Sequence, residues 1–435
     1  MCEQFAPTHA DIVMSMLGAP ENTVLFASGS ETGAALLKEL GLPVAEKPAA
    51  GETLAQQLLE KRAACKKAVF AETSEKINSI LVLGLGKVGS LVATLLHETG
   101  FAVTGADMNE PVGMPFPTEK LNLNNLENST IMNGFDAIIS CLPYNFNIGL
   151  AAAAHELGIH YFDLTEDVKT TKAIIQMSDT TRAVMAPQCG LAPGFIAIVG
   201  ADLAGTFDQV RSIRLRVGAL PLHPTGLLGY AFNWSPEGVV NEYLNDCEVI
   251  EDGTHKWVSP LEWLETIVIG GVQLEAFTTS GGLGTMCDTY LGRVQNLDYK
   301  TIRYPGHAQL MNFFFHELLM REDRTRAGEI LVHAKPQVNE DVVYVHVAVE
   351  GWKQGRLSRE EFVRAYYPLE IGGRRWRAIS WTTASSLCAV VEMVSGGALP
   401  DRGFLKQEQI PLGEFLKTKN GRRFVCSPPE RPATP

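Results

Sequence analysis

The sequence has no CxxC pair, and none of its eight cysteines (Cys2, Cys65, Cys141, Cys189, Cys247, Cys287, Cys388, Cys426) has a histidine at zinc-ligand spacing. That excludes a zinc ribbon or a dithiol redox motif and leaves free thiols and no metal as the expectation. No run of about eighteen apolar residues and no charged, apolar and cleavage-site leader is found, so the chain is expected off the membrane and in the cytoplasm. Positive charge is not in excess either. Against 37 Lys and Arg stand 49 Asp and Glu, a net charge of −12 that repels phosphate backbones and excludes nucleic acid as the expected ligand. Internal repeats and low-complexity tracts are missing. What is present, 46% hydrophobic and 20% charged residues over 435 positions, describes an ordinary globular chain long enough for two or three domains.

Residues 1–78 alternate helix-like stretches with one short apolar run, Thr23 to Ser28, and read as a small α/β appendage without a phosphate loop or catalytic cluster. The character changes at Ser79. Ile80-Leu-Val-Leu83 is apolar throughout, as in a parallel strand buried on both faces. A helix from Lys87 to Thr99 follows, and then strands at Ala102–Ala106, Ala137–Ser140, Ile159–Phe162 and Ala183–Ala186 between helical stretches. This alternation predicts an α/β fold, a doubly wound parallel Rossmann sheet over residues 79–193. From 194 to 378, long alternating strands such as Val210–Val217 and Val342–Val349, with few helices between them, suit an open antiparallel sheet. Thr382–Val394 is an apolar helix able to return, within residues 379–435, to the first sheet.

Gly84-Leu-Gly86-Lys87-Val88-Gly89 fits GxGxxG directly after a buried strand and at a helix start, the placement that dinucleotide binding requires. Gly84 permits the turn, Gly86 lets the backbone approach a pyrophosphate, and Gly89 allows helix to pack on strand, while the helix N-terminus attracts the anion. Asp107 stands eighteen residues beyond Gly89 at the end of the second strand, where a carboxylate accepts ribose hydroxyls and repels a 2′-phosphate, favouring NAD over NADP. As a plain turn residue it would carry no such meaning. Cys141-Leu142-Pro143 follows the strand that starts at Asp136 and so lies at the carboxyl edge of the sheet, where it would line the nicotinamide ribose or simply end the strand.

With that fingerprint, the Cys141-Leu-Pro-Tyr144 turn, Tyr161-Phe-Asp-Leu-Thr-Glu166, Cys189-Gly-Leu-Ala-Pro-Gly194 and Arg303-Tyr-Pro-Gly-His307 in this order, the chain resembles the saccharopine dehydrogenase family from Ser79 onward. The family holds saccharopine reductases, lysine 6-dehydrogenases and carboxynorspermidine dehydrogenases. The resemblance implies nicotinamide-dependent chemistry at a C–N bond of an amino acid and a Rossmann domain with an inserted mixed α/β domain for substrate and dimerisation. It therefore also implies a homodimer. Ala192, where saccharopine reductases have Asp, and Glu237, where they have Arg, tilt the resemblance away from saccharopine. The run Glu237 to Leu244 and His307 are similar to lysine 6-dehydrogenases, whereas Leu228 to Ser235 looks more like the reductases. Oxidative deamination of the L-lysine ε-amine is the leading expectation, saccharopine oxidation the second, and an NAD-sensing regulator the alternative of another class.

The chemistry needs a neutral amine held against the nicotinamide and one group able to move protons near neutral pH. His307, Tyr144, Asp163 and Glu166 qualify by type. His307 would equally serve as a hinge of its Pro-Gly turn, and Asp163 or Glu166 as helix caps. Cys189, Gly190, Asn233, Glu237 and Arg303 are the substrate-side expectations, with Cys189 in a polar or packing role, since hydride transfer needs no covalent step.

Overall fold

The computed structural model describes residues 77–109, 111, 113–121 and 130–426. The appendage expected over residues 1–78 lies outside the described residues except for its last two positions.

In the first sheet, β1 (Ser79–Leu83) leads through the glycine loop into α1 (Gly89–Thr99), then β2 (Ala102–Asp107), β3 (Thr118–Lys120) and β4 (Ala137–Ser140). Helix α2 (Asn147–Leu157), β5 (His160–Asp163), α3 (Val168–Ser178) and β6 (Val184–Ala186) complete the first passage. Ile80, Leu81, Val82 and Leu83 have no exposure, which is why this stretch is apolar without alternation. Each fully buried aliphatic of this kind contributes about 1.5–3 kcal/mol. All pairings in the sheet are parallel, in the order β6-β5-β4-β1-β2-β3, and a short strand from the end of the chain, β17 (Gly403–Phe404), adds to the free edge of β6. The order reverses between β1 and β4, so a crevice opens at the carboxyl ends of those strands.

The chain then leaves this sheet through α4 (Phe195–Ala204) and builds a second one from β7 (Gln209–Pro221). Helix α5 (Pro236–Leu244) precedes the hairpin β8 (Cys247–Glu251) and β9 (Thr254–Val258), and β10 (Glu265–Ile269) and β11 (Val272–Thr278) follow. Next come α6 (Met286–Tyr290), β12 (Asn296–Arg303), α7 (His307–Asn312), α8 (Arg324–Ala334), β13 (Asp341–Lys353) and β14 (Arg356–Tyr366). A small ribbon, β15 (Leu369–Ile371) with β16 (Arg374–Trp376), ends the passage. The strand order is β10-β11-β12-β7-β13-β14, with β8 attached to β12. The expectation of an antiparallel sheet with few helices is corrected: β12 runs parallel to β7 while the other pairs are antiparallel, and α5 to α8 lie between its strands. The sheet is mixed because the chain from β7 to β12 passes through two hairpins and returns in the same direction.

Helix α9 (Ala378–Ser395) and β17 (Gly403–Phe404) bring the chain back, with Gly403 beside Val184 of β6. At 18 residues α9 is long and apolar enough to cross a bilayer by length and composition. Its Trp381, Leu387, Val390 and Val391 are nevertheless fully buried, and it packs on α1 as a core helix that is apolar all round.

Candidate active site

Between the two sheets lies a cavity of about 440 Å³, walled by the glycine loop, the Cys141–Tyr144 turn, Leu164–Glu166, Gly190–Pro193, the start of α5 and the end of β12. Its cofactor side follows from local geometry. A Cβ on Gly89 would sit 1.8 Å from the Gly84 carbonyl oxygen, so the helix can approach the strand only with glycine there, whereas a Cβ on Gly86 meets nothing within 4 Å. The loop thus presents open backbone to the cavity. Ser90, Leu91 and Val92 donate their N–H groups to Gly86 O and Val88 O, whereas those of Gly86, Lys87, Val88 and Gly89, which line the cavity, have no acceptor among the described residues. Gly84 itself stands behind the wall, its N–H donating to Ala106 O at 2.8 Å. Asp107 also lies off the wall. One of its carboxylate oxygens accepts the Leu85 N–H at 2.6 Å, which ties the end of β2 to the loop, and the other accepts the Asn109 N–H at 2.9 Å. Of the expected cofactor residues, Gly86, Lys87, Val88, Gly89, Cys141, Leu142 and Pro143 line the cavity. Burial and then the charge of Arg377 lower the Lys87 pKa. The bared backbone, the helix N-terminus and a carboxylate at the end of β2 fit a dinucleotide.

Of the four expected proton movers, Glu166 and Tyr144 line the cavity; His307 and Asp163 do not. Glu166 follows β5 and is part-buried, packed against two glycines. A Cβ on Gly281 would lie 2.8 Å from its carbonyl oxygen, and one on Gly238 2.9 Å from its carboxyl. Burial, reinforced by the charges of Asp167, Asp163 and Glu237, pushes its carboxyl up to about 7. Cys141, also on the wall, is raised by burial to about 12 and stays a thiol.

His307 is corrected from proton mover to support. Its Nδ1–H donates to Leu228 O at 2.9 Å, so Nε2 is the acceptor and takes the Tyr243 O–H at 3.0 Å. The Tyr243 oxygen in turn accepts Arg303 Nε–H at 2.8 Å. Burial and the nearby Arg303 charge hold the imidazole down at about 3, so it is neutral, and Phe277 stacks on it. Arg303 ends β12 on the cavity wall. It donates through Nη1 to Thr301 Oγ1 at 2.7 Å and to Ile302 O at 2.9 Å, and stacks on the Tyr230 ring with 4.6 Å to the centroid. Its Nη2 has no hydrogen-bond partner among the described residues.

Asp163 is fully buried. It accepts the Thr165 N–H at 2.9 Å, the Gln188 N–H at 3.0 Å and the Tyr161 O–H at 2.9 Å, and burial lifts it to about 6. It holds the ends of β5 and β6 together and does not reach the cavity. Asp163→Asn keeps Oδ1 for the two N–H groups and should leave kcat within about tenfold of wild type, whereas Asp163→Ala strands both donors at about 1–3 kcal/mol each. Thermal melts and steady-state kinetics of the pair check this. A folded Asp163→Asn that had lost kcat by about 100-fold or more would return the residue to the chemistry.

Cys189 is likewise corrected. It is fully buried behind the wall, its thiol donating to Ala186 O at 3.1 Å and receiving Gln407 Nε2–H at 3.3 Å. Of the other substrate-side expectations, Gly190, Asn233, Glu237 and Arg303 line the cavity. The residues missed were Glu242 and Tyr243 of α5. The available signal was an acid three positions after Val239, on the buried stripe of an amphipathic helix. Among the described residues, Glu248, His255 and Cys287 bring ligand atoms within 4.8 Å of one another away from the cavity, a grouping that linear spacing does not show.

Residues 190–418 match the family model described as the saccharopine dehydrogenase C-terminal domain, and residues 80–186 match the saccharopine dehydrogenase NADP binding domain. The mitochondrial alpha-aminoadipic semialdehyde synthase of Mus musculus is 24% identical over 281 residues, covering 60% of this chain and 30% of that protein. Its counterpart in Rattus norvegicus is 22% identical over 282 residues with the same coverage. The chain thus spans under a third of the length of these curated relatives. An apo histidine-tagged saccharopine dehydrogenase (L-Glu forming) from Saccharomyces cerevisiae shares the fold with a TM-score of 0.60 at 15% identity, over 78% of this chain and 97% of that one.

Proposed function

Since the chain belongs to the saccharopine dehydrogenase family, we propose that it is an NAD-dependent oxidoreductase that deaminates the ε-amine of L-lysine. The observation that carries this reading is Glu166, a carboxyl raised to about 7 in the wall of the cavity that the dinucleotide loop also lines. Bound on that loop, a nicotinamide supplies the hydride acceptor. Glu166 takes the proton from the entering ammonium, so that the amine is neutral when its carbon gives up hydride and becomes an iminium; once that proton has passed to solvent, the carboxylate takes a proton from the water that attacks the iminium and returns it to the nitrogen, which leaves as ammonia with the aldehyde behind. Trp234 stands beside Glu166, both within 3 Å of where a Cβ on Gly238 would lie, and Asn233 and Arg303 line the same cavity.

Charge supports lysine over saccharopine. Away from the phosphate loop the wall carries the carboxyl groups of Glu166, Glu237 and Glu242 against Arg303, and Glu166 and Glu242, raised by burial to about 7 and about 8, ionise most readily against an entering cation. Such a site suits a substrate with two ammonium groups and one carboxylate better than one with three carboxylates. Asp107, tied to the loop through Leu85, supports NAD over NADP because a 2′-phosphate would meet its charge. The expected result is reduction of NAD, with ammonia released, when the purified protein is given L-lysine, followed by absorbance of the reduced cofactor. Turnover of saccharopine alone would move the assignment to the secondary amine, and turnover of neither removes both.

A further inference from the structure

Glu242 sits in the cavity wall with 8% of its surface exposed, on the buried stripe of α5 between Val239 and Tyr243. Its carboxyl has neither a hydrogen bond nor an ion pair with any described residue, and burial pushes it up to about 8, with the Arg303 charge drawing it down and the Glu166 charge adding to the rise. A buried carboxylate without a partner is costly, and native structures supply one or leave room for it. Arg303 beside it is in the matching state. Its Nε and Nη1 are spent on Tyr243, Thr301 and Ile302, which fixes the guanidinium plane and leaves Nη2 free at the wall. An acid kept largely neutral by its burial and a fixed guanidinium therefore face one cavity without joining each other.

Resting on the amino-acid reading above, we propose that Glu242 is the ammonium subsite of the substrate head group. It accepts the α-ammonium of an α-amino acid while Arg303 takes the α-carboxylate, and the side-chain amine extends within the cavity to Glu166, which lines it too. Both head-group charges leave one carbon, so a clamp of one acid and one guanidinium reads them together, and a substrate lacking either leaves a buried group unmatched. Glu242 is then a specificity-determining residue, and the chain of Leu228, His307 and Tyr243 is what aims Arg303.

The test compares L-lysine, 6-aminohexanoate, which lacks the α-amine, and 1,5-diaminopentane, which lacks the carboxylate, on the full chain with NAD. Both kcat/KM and calorimetric Kd are measured for wild type, Glu242→Gln and Glu242→Asp, with L-glutamate and saccharopine as further α-amino acids. Wild type should prefer lysine to 6-aminohexanoate by about 10–100-fold. Glu242→Gln should shrink that ratio to within about threefold and keep discrimination against 1,5-diaminopentane, and Glu242→Asp should restore part of the preference. An unchanged lysine to 6-aminohexanoate ratio in Glu242→Gln overturns the assignment, as does failure of every α-amino acid to bind wild type. Should lysine fail while another α-amino acid binds and loses its advantage in Glu242→Gln, the lysine reading falls and the Glu242 subsite stands.

Discussion

Gly86→Val should abolish dinucleotide binding while leaving the fold intact. A Cβ at this position meets nothing within 4 Å in the protein itself, so valine is accommodated in the free chain. The open space it would fill is where the pyrophosphate must lie to reach the N–H groups at the start of α1. Losing two charge-assisted hydrogen bonds at about 1.5–3 kcal/mol each weakens the complex by at least about 100-fold. The melting temperature should stay within about 2 °C of wild type, as for a surface substitution. Titration of NADH fluorescence beside a thermal melt reads both. Gly89→Ala gives the contrasting result: its Cβ would lie 1.8 Å from the Gly84 oxygen, so the loop must deform and stability falls together with binding. Valine at 86 binding NADH as tightly as wild type would falsify the placement of the cofactor on this loop.

The glycine loop was legible because its determinants are local: a buried strand, three glycines and a helix start within eleven residues, Ser79 to Gly89. The strands of the first sheet were legible for the same reason, since burial on both faces leaves uninterrupted apolar runs. The direction of β12 against β7 was not, because alternation marks the faces of a strand and says nothing of how the intervening chain returns. Nor was the split between Asp163 and Glu166. Both follow one strand, but Asp163 ends β5 under the N–H of Gln188, a residue twenty-five positions away that only folding brings there. His307 looked suitable by its ordinary pKa. Its environment is made by Tyr243, Phe277 and Leu228 from three other segments, and together they turn it from a titrating group into a neutral link behind Arg303.

Glu166→Gln should be the most informative loss of activity, since amide and protonated acid have nearly the same shape and differ in whether they move a proton. Removing a general base of this kind lowers kcat by about 10²–10⁴-fold. With the carboxyl at about 7, wild-type kcat/KM for amine oxidation should climb with pH and level off above that value, and the glutamine variant should lack the limb. Stability moves the opposite way. The folded state holds the proton more tightly than the unfolded chain, whose carboxyl has the ordinary value of 4.5. The contribution of the protonated acid is therefore complete below about 4.5 and is lost as pH rises through about 7. Glutamine cannot ionise, so the variant should melt at a higher temperature than wild type above pH 7, with the difference fading as the pH is lowered. A residue with a merely structural role would lose stability on substitution at every pH. Less activity with more stability, both turning on the same ionisation, is the pattern of a carboxyl kept in a costly place for its chemistry. A Glu166→Gln enzyme that retained both its rate and its pH limb would shift the proton transfer to Tyr144, the other expected proton mover on the cavity wall.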